Sequence, residues 1–374
     1  MKILHIASFK GNIGDNASHI GFYSILEKIL KNYEIEQVEI RKFYKNYYEK
    51  DRQCFDSKFI DYLNTFDMCF IGGGGFLDYW VPDSQTGTTI DIELNLLGKV
   101  MKPTYFTRIG SNPHKKIPKG NIEKFRNFLN EVNKNKNLKI ALRNDGSIES
   151  IKRDIGEKYL ENICEILDHG FFYTDEKKYS KIIDAKYVAI NITSDQMSMC
   201  SEFKEIVDKA FYLEELKKVI DYCINYLKCD IVFVPHIYSD LKAISELLEI
   251  INDSIIRKHI TIAPCIQGDN GTKRLFSIYK QSEFVIGTRF HANVCSLAMG
   301  KYTIGLVVLD RVKYLYDYFG ISERAIVLKG TFSNKIIELL KDKNKKDENT
   351  LEMFNQDHTI KFYKKILSDY NKTS

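Results

Sequence analysis

Short apolar runs of strand length alternate with segments of helical periodicity along most of this chain. In the first half, the runs that predict strands are Ile3–Ser8, Gln37–Arg41, Phe66–Ile71, Thr104–Ile109, Lys139–Arg143 and Ile163–Leu167. The apolar positions from Ala17 to Leu30 recur with the period of a helix. Strands separated by helix-length segments indicate a parallel sheet that is covered on both faces.

The alternation restarts after a polar stretch, residues 173–186, which predicts a linker. The predicted strands beyond it are Tyr187–Ile192, Ile231–Pro235, Ile260–Ala263, Phe284–Ile286 and Tyr302–Val308. The predicted helices are Phe203–Leu227, Asp240–Ile251, Thr272–Gln281 and Ala292–Met299. The pattern predicts the α/β class, with two Rossmann-like, doubly wound parallel-sheet domains at residues 1–172 and 187–340 and a cleft between them.

The alternation of strand-length and helix-length segments ends near residue 340. The charged run Lys341–Asn349 predicts a solvated loop, and the amphipathic stretch Phe354–Tyr370 predicts a helix. We assign residues 350–374 to this C-terminal helix, and packing across the first domain is one position open to it.

Composition agrees with two domains, because 374 residues exceed what a single core usually supports. The formal charge of +5 is small for this length, and the lysines are spread along the chain. We therefore predict no nucleic-acid surface, while mild attraction to anionic lipids or substrates stays open.

The cysteines form no CxxC pair, and most lie in apolar runs, which predicts reduced core residues of a cytosolic protein and no metal site. They are Cys54, Cys69, Cys164, Cys200, Cys223, Cys229, Cys265 and Cys295. No stretch resembles a signal peptide or approaches the roughly 20 apolar residues of a membrane span. We predict a soluble, cytoplasmic protein, with peripheral association at the inner face of the cell membrane left open.

The segment Glu283–Val308 carries the strongest chemical signal, an arginine and a histidine two residues apart where a strand gives way to a helix. Because ligands of open α/β sheets bind at the carboxyl ends of the strands, Arg289 and His291 should project into the crevice from an extended loop. A guanidinium binds carboxylates or phosphates, and an imidazole transfers protons near neutral pH. An equally weighted alternative is an arginine on a surface carboxylate and a histidine satisfied in the core.

The segment Gly11–Ser18, GNIGDNAS, follows the first predicted strand. Gly11 and Gly14 permit a tight turn, and the helix N-terminus after it can bind an anion. The spacing differs from GxGxxG, since Asn12 and Asp15 fill the loop, so it does not predict a dinucleotide site. Asp15 and Asn16 fit equally well as plain helix caps.

Two further strand ends carry polar or glycine-rich sequence. Four glycines, Gly72–Gly75, precede Asp78 and Trp80 and favour a ligand site over a simple turn, because four glycines are costly in unfolded-chain entropy. Arg143 follows another strand, with Asp145 and Ser147 nearby. Its alternative role is to pair with a structural carboxylate.

Together these motifs resemble the polysaccharide pyruvyl transferase family. The resemblance rests on NIGDN, IGGGGFL, IGSNP at Ile109–Pro113, LRNDGS, VPH at Val234–His236 with Asp240 after it, and GTRFHANVCSLAMG, in family order. It implies two Rossmann-type domains of the GT-B kind. It also implies transfer of the enolpyruvyl carbons of phosphoenolpyruvate onto two sugar hydroxyls as a cyclic ketal, with release of phosphate, in cell-surface polysaccharide biosynthesis.

By this resemblance, Arg289 matches the donor-binding arginine, His291 the catalytic histidine, and Arg143 the arginine of the central motif. The chain departs from the family in three places: Thr288 stands where Ser or Asp is frequent, Asp168-His169 replaces an Asp-Pro pair, and TYFTRIGSNP has fewer glycines. His291 is the predicted general acid that protonates the donor's methylene carbon.

The remaining site predictions follow from the same chemistry. The predicted donor-binding residues are Arg143, Arg289, Thr288 and Ser147. The predicted acceptor or phosphate loops contain Gly11, Asn12, Gly14, Asp15, Asn16, Gly73, Gly74, Gly75, Asp78 and His236, and Asp78, Asp15 and His236 are candidate bases. We expect the first domain to bind the acceptor and the second the donor, with no cofactor or metal. The partners are phosphoenolpyruvate and a lipid-linked or nucleotide-linked saccharide.

Two other functions remain open at this stage. In a nucleotide-sugar glycosyltransferase or epimerase of the same fold, Arg289 would bind the diphosphate and His291 the sugar or ribose. In a non-catalytic sugar-phosphate binding protein, neither residue would act on a substrate. Release of phosphate from phosphoenolpyruvate in the presence of a sugar separates the three.

Overall fold

A computed structural model describes residues 1–199, 201–203, 208–342 and 354–373. The predicted loop Lys341–Asn349 lies outside the described residues from position 343 onward, and so does Cys200. Contacts group the chain into two compact units. The N-terminal unit comprises Met1–Phe9, Phe22–His169 and the segment from Gln356, and the C-terminal unit comprises Lys10–Gly21 and Gly170–Asn355.

The N-terminal unit contains a six-stranded parallel sheet with the order β2-β1-β3-β4-β5-β6. Its strands are β1 (Lys2–Ala7), β2 (Glu34–Glu39), β3 (Met68–Ile71), β4 (Thr104–Ile109), β5 (Leu138–Arg143) and β6 (Ile163–Ile166). The helices along this half of the chain are α1 (Ile13–Ile29), α2 (Ser57–Leu63), α3 (Leu94–Leu97), α4 (Asn121–Lys134) and α5 (Ser147–Ser150). The strand order changes direction between β1 and β3, which makes this the switch point of the sheet.

The C-terminal unit contains a second six-stranded parallel sheet, with the order β12-β11-β10-β7-β8-β9. Its strands are β7 (Tyr187–Asn191), β8 (Asp230–Phe233), β9 (Ile260–Ile262), β10 (Phe284–Gly287), β11 (Thr303–Val307) and β12 (Ala325–Val327). Its helices are α6 (Lys209–Asn225), α7 (Tyr238–Leu248), α8 (Asp253–His259), α9 (Gly268–Gln281), α10 (Phe290–Ala298), α11 (Asp310–Tyr318) and α12 (Phe332–Lys341). The switch point of this sheet lies between β7 and β10.

Successive residues of the central strand β7 enter different hydrophobic clusters. Val188 and Ile190 pack into one cluster, and Tyr187 and Ala189 pack into the other. Because successive strand side chains point to opposite faces, both faces of this sheet are buried. The predicted fold class, α/β with two Rossmann-like parallel-sheet domains, is confirmed.

The last described helix, α13 (Asp357–Thr373), belongs to the N-terminal unit. Its Tyr363 is fully buried, and the Tyr363 hydroxyl lies 2.5 Å from the Thr107 hydroxyl on β4. The Tyr363 ring also contacts Phe22 and Phe70. This C-terminal segment therefore completes the core of a unit that is otherwise built from the first half of the chain.

Several boundaries differ from the sequence prediction because side chains cap backbone groups. β2 ends at Glu39, whose carboxylate accepts the Arg41 N–H and starts a 3-10 turn at Ile40–Phe43, although the apolar pattern extended the strand to Arg41. The structure also adds α11, β12 and α12, which the pattern did not predict.

The buried carboxylate of Glu215 on α6 holds the start of α12. Glu215 is fully buried, and its carboxylate accepts hydrogen bonds from the Ser333 N–H at 3.0 Å and from the Ser333 hydroxyl at 2.6 Å. A carboxylate at a helix N-terminus satisfies an otherwise unpaired N–H and interacts favourably with the helix dipole.

We predict that Glu215→Ala lowers the free energy of unfolding by about 1–3 kcal/mol, because the buried Ser333 donors lose their acceptor. Urea unfolding followed by circular dichroism measures the change. Glu214→Ala is the matched control, since the adjacent Glu214 side chain is 53% exposed. Equal effects of the two substitutions would contradict the capping role.

Candidate active site at the switch point of the C-terminal unit

Arg289 follows β10 at the switch point of the C-terminal unit, where β10 lies beside β7. Its backbone is extended, and α10 begins at the next residue. Asn191, the last residue of β7, holds this turn: its side-chain oxygen accepts the Arg289 N–H at 3.0 Å and the Thr288 hydroxyl at 3.1 Å. Thr288 is fully buried, so its hydroxyl braces the turn and does not offer the donor contact that we predicted.

The Arg289 guanidinium is engaged by a buried carboxylate. Its Nε lies 3.0 Å from both oxygens of Asp240, and its Nη2 lies 2.6 Å from Asp240 Oδ1. Nη2 also donates to Asp195 at 2.8 Å, to Thr193 at 3.0 Å and to Ser239 at 3.4 Å. Nη1 has no hydrogen-bond partner in the part of the chain that the structure describes. One edge of an otherwise fixed guanidinium is therefore available to an anion.

The charge balance keeps Arg289 protonated. Burial by itself lowers the pKa of Arg289, but the nearby Asp240 and Asp195 carboxylates outweigh it and raise the pKa above its ordinary value. Arg289 is 7% exposed and Asp240 is fully buried. The alternative of a pair with a surface carboxylate is therefore wrong, because the main partner lies in the interior.

Asp240 connects three segments at this edge of the sheet. Besides Arg289, its carboxylate accepts the backbone N–H of His236 at 2.9 Å and the side-chain amide of Asn191 at 3.4 Å. The helix α7 consequently begins at Tyr238, two residues before the predicted start at Asp240. From the sequence, Asp240 stood out only as part of a motif and Asn191 did not stand out, although a polar residue at the end of a buried strand was an available signal.

His291 lies in the first turn of α10 and is 6% exposed. The extended loop that we predicted for it is wrong, because the helix starts at Phe290 and not at Ala292. A Cβ atom at Gly14 would lie 2.7 Å from both Cβ and Nδ1 of His291. Gly14 is therefore a glycine because the imidazole occupies the space that a side chain would need.

The GNIGDNAS loop packs entirely within the C-terminal unit, although it follows β1 in the chain. The Ile13 N–H donates to the His236 carbonyl oxygen at 3.5 Å, and the Asn12 side-chain oxygen accepts the Gly14 N–H at 2.9 Å. The Asn16 amide donates to Asp269 at 3.0 Å. Asn12 thus acts as a cap at the start of α1, and the loop encloses His291 and His236 from one side.

His236 is a buried, neutral histidine beside this network. Burial, and then the charges of Arg289 and His291, hold the pKa of His236 well below its usual value. Its Nε2 lies 2.9 Å from the Tyr279 hydroxyl, which is itself directed at the Val234 carbonyl oxygen at 3.5 Å. This pattern makes Nε2 the donor and leaves Nδ1 as an acceptor, which is buried and without a hydrogen-bond partner among the described residues.

In the N-terminal unit, the glycine run is explained by close packing. A Cβ at Gly72 would lie 1.9 Å from the Thr107 carbonyl oxygen, and one at Gly75 would lie 2.7 Å from a carboxylate oxygen of Asp78. Gly73 has a φ of +100° and lies against Arg108, while Gly74 lies against Phe76. These neighbours require glycine without any ligand, a requirement that the sequence could not distinguish from ligand approach.

Arg143 and Ser147 also lie in the interior of the N-terminal unit. Arg143 is 2% exposed, and its Nε lies 2.6 Å from Asp145 while its Nη1 lies 3.6 Å from Asp168. The fully buried Ser147 donates to Asp145 and accepts the Ser111 N–H at 2.7 Å. Burial lowers the pKa of Arg143, and the two aspartates more than reverse this. This geometry agrees with the alternative in which Arg143 pairs with structural carboxylates. It does not place Arg143 on an exposed surface where phosphoenolpyruvate could bind.

Asp78, a predicted acceptor residue, is buried as well. One carboxylate oxygen accepts the Asn112 N–H at 2.8 Å, and the other lies 3.1 Å from Nδ1 of His114. His114 is partly exposed, so the pair reaches the surface of the unit through the imidazole.

Other predictions concern metals, cysteines and membranes. In the described ranges, no group of three or more His, Cys, Asp or Glu side chains is arranged to hold a metal ion. The seven cysteines in these ranges are free, and Cys54 is exposed although we predicted core positions. No helix within the described ranges combines the length and the apolar character needed to cross a membrane.

Solved structures with a similar fold include UDP-N-acetylglucosamine 2-epimerases. The N. meningitidis enzyme bound to UDP-GlcNAc has a TM-score of 0.52 at 10% identity, with 100% of each chain covered. The M. jannaschii enzyme has a TM-score of 0.52 at 13% identity, covering 93% of this chain and 94% of its own. S. aureus MnaA with UDP has a TM-score of 0.51 at 13% identity, covering 95% and 91%. At these identities the likeness shows the fold alone.

No curated protein sequence matches the chain. The sequence model of the family described as polysaccharide pyruvyl transferase matches residues 12–310, a range that includes the Gly14 loop, His236, Asp240, Arg289 and His291. The match spans well over half of the 374 residues. The chain therefore belongs to the polysaccharide pyruvyl transferase family.

Proposed function

We propose that this protein transfers the enolpyruvyl carbons of phosphoenolpyruvate onto two hydroxyls of a saccharide, with release of inorganic phosphate, in cell-surface polysaccharide biosynthesis. The observation that carries the proposal is the buried Arg289–Asp240 pair at the switch point, with His291 and His236 beside it. Family membership supports the same reaction.

Arg289 is the proposed binding residue for the donor. Asp240 holds Nε and Nη2, so Nη1 points in one fixed direction and can donate to the carboxylate or phosphate of phosphoenolpyruvate. Asp195, whose side chain is 34% exposed, contacts Nη2 from the rim. An arriving anion can therefore replace Asp195 without disturbing the buried pair with Asp240.

His291 is the proposed general acid. A proton delivered to the methylene carbon turns it into a methyl group and makes the adjacent carbon electrophilic. One sugar hydroxyl adds there, phosphate leaves, and a second hydroxyl closes the ketal. The methylene carbon gains one proton, the two hydroxyls lose two, and phosphate carries away the other.

Among the candidate bases, the geometry favours His236. It is neutral, and its Nδ1 offers a lone pair in the interior of the same unit. The carboxylate of Asp78 is instead occupied by Asn112 and His114. A neutral imidazole can accept a hydrogen bond from a sugar hydroxyl and so orient it for attack.

The direct test incubates the purified protein with phosphoenolpyruvate and a panel of free, nucleotide-linked and lipid-linked sugars. We expect saccharide-dependent release of phosphate and a product heavier than the sugar by one pyruvate ketal. Without consumption of phosphoenolpyruvate, release of UDP from a nucleotide sugar would instead support the glycosyltransferase alternative, and formation of an epimeric nucleotide sugar would support the epimerase alternative.

The first variant is Arg289→Lys. A lysine keeps the charge but cannot span Asp240 while donating to an anion, so the dissociation constant for phosphoenolpyruvate should rise by about tenfold or more. Calorimetry measures this value, with near-ultraviolet circular dichroism as the folding check. Arg257→Lys is the matched control, because that arginine is 76% exposed. Unchanged donor affinity in a folded Arg289→Lys protein would remove Arg289 from the donor site.

The second variant is His291→Gln. It should keep donor affinity and lose roughly 10²–10⁴-fold in the chemical step, which is the usual contribution of a general acid. Single-turnover phosphate release and thermal melting on the same protein separate catalysis from packing. His259→Gln, at a partly exposed position of the same unit, serves as the control. A lower melting temperature with intact turnover would mean that His291 only fills the core.

The third variant, Gly14→Ala, tests whether Gly14 positions His291. The helix preference of alanine over glycine, about 1 kcal/mol, offsets part of the overpacking cost of about 1–3 kcal/mol, so the variant should still fold. The alanine Cβ would displace the imidazole, and a displacement of this size can cost about 10²-fold in turnover. Gly98→Ala is the control, because a Cβ there meets its nearest atom at an ordinary 3.6 Å. Full turnover in Gly14→Ala would show that catalysis does not depend on the way Gly14 positions His291.

A further inference from the structure

A cavity of about 360 Å³ lies beside the Arg289 network in the C-terminal unit. Three of its lining residues, Thr193, Asp195 and Ser239, are the residues that accept hydrogen bonds from Arg289 Nη2 in addition to Asp240. The cavity falls within the usual size range of small-molecule sites. Whatever binds there would lie against the residues that surround the guanidinium assigned to the donor, separated from it by Thr193, Asp195 and Ser239.

Two buried polar atoms of the cavity wall have no hydrogen-bond partner in the described part of the chain. One is the hydroxyl of Tyr212, a residue that is 2% exposed, and the other is Oε2 of Glu246. The second oxygen of Glu246 pairs with Lys209 at 2.6 Å. A polar atom that is buried without a partner costs free energy, so both side chains can gain a hydrogen bond by turning toward a ligand in the cavity.

The side chains that line the cavity indicate a ligand that is rich in hydroxyl groups and has one apolar face. Ser194 and Ser239 contribute hydroxyls, whereas the Thr193 hydroxyl already donates to Asp195 and accepts from Arg289, and Glu246 contributes a carboxylate oxygen that only accepts. The apolar part of the wall consists of Met197, Leu213 and Ala243. A pyranose ring combines both properties, because its hydroxyls lie around the edge and its C–H groups form an apolar face.

The charges of the wall argue against a site for a bare anion. Asp195 and Glu246 contribute two carboxylates, against the ammonium groups of Lys209 and Lys242. Two carboxylates and two ammonium groups leave the charged side chains of the wall with no net charge, and Glu246 pairs directly with Lys209. A neutral ring therefore fits this balance better than a phosphate does.

We infer that this cavity binds a pyranose ring of the saccharide acceptor, with Glu246 accepting from a ring hydroxyl and Tyr212 hydrogen-bonding to another. The identification of the ring as the acceptor rests on the proposed function. The inference places the acceptor ring in the C-terminal unit, next to the donor residue Arg289, whereas the sequence had suggested the first domain. Ser239, which lines the cavity and accepts from Arg289, would then lie between the two substrates.

The first experiment is independent of catalysis. Saturation-transfer NMR on the whole protein, without phosphoenolpyruvate, uses the methyl pyranosides of glucose, galactose and mannose as probes. Wild type should show transfer to at least one probe, and Glu246→Gln and Tyr212→Phe should each raise its dissociation constant about tenfold. The matched controls are Glu249→Gln and Tyr226→Phe, exposed positions directly after the same two helices, which should bind like wild type.

The second experiment follows turnover with the acceptor identified in the assay. The two cavity variants should raise the KM for the saccharide about tenfold and leave the KM for phosphoenolpyruvate unchanged. Binding that depends on Glu246 and Tyr212 would support the pyranose site even if no ketal forms, which would refute only the proposed reaction. Absence of transfer to all three pyranosides in wild type, or equal binding by wild type and both cavity variants, would overturn the inference.

Discussion

The buried carboxylate of Asp240 organises the candidate active site, because it joins three segments that are far apart in the chain. It accepts from Arg289 after β10, from Asn191 at the end of β7 and from the backbone of His236 after β8. A buried charge pair survives only when its remaining lone pairs and protons are also satisfied, since desolvation of both ions is costly. These hydrogen bonds meet that condition and hold the guanidinium in one orientation before any substrate arrives.

The chain contains two buried arginines at strand ends with nearly the same immediate chemistry. Arg143 pairs with Asp145 and Asp168, and Arg289 pairs with Asp240 and Asp195. They differ in what surrounds them: three hydrogen-bond partners of Arg289, namely Thr193, Asp195 and Ser239, line a cavity, whereas Arg143 lies among buried side chains. Paired arginines at strand ends therefore need not be equivalent, and the neighbouring space decides which of them can meet a ligand.

The two histidines of the candidate site differ in their surroundings. His236 is held neutral by burial and by the positive charges beside it, which suits hydrogen-bond acceptance. His291 is placed by direct contact between its ring and the backbone at Gly14, so the loop after β1 helps to form a site in the C-terminal unit. This contact explains physically why a glycine motif near the start of the chain and a histidine near its end belong to one function.

The sequence by itself determined the fold class and the position of almost every central strand, because strands buried on both faces must be continuous apolar runs. It also predicted Arg289 and His291 as site residues, since ligands of open α/β sheets bind at the carboxyl ends of the strands. It could not determine the partners of these residues, since hydrogen bonds such as Arg289 to Asp240 join positions 49 residues apart. Likewise, only the tertiary structure showed that Gly72–Gly75 are required by close packing and that residues 10–21 belong to the C-terminal unit. Only the tertiary structure placed Tyr212 and Glu246 around one cavity. Each of these findings depends on which side chains the folded chain brings together.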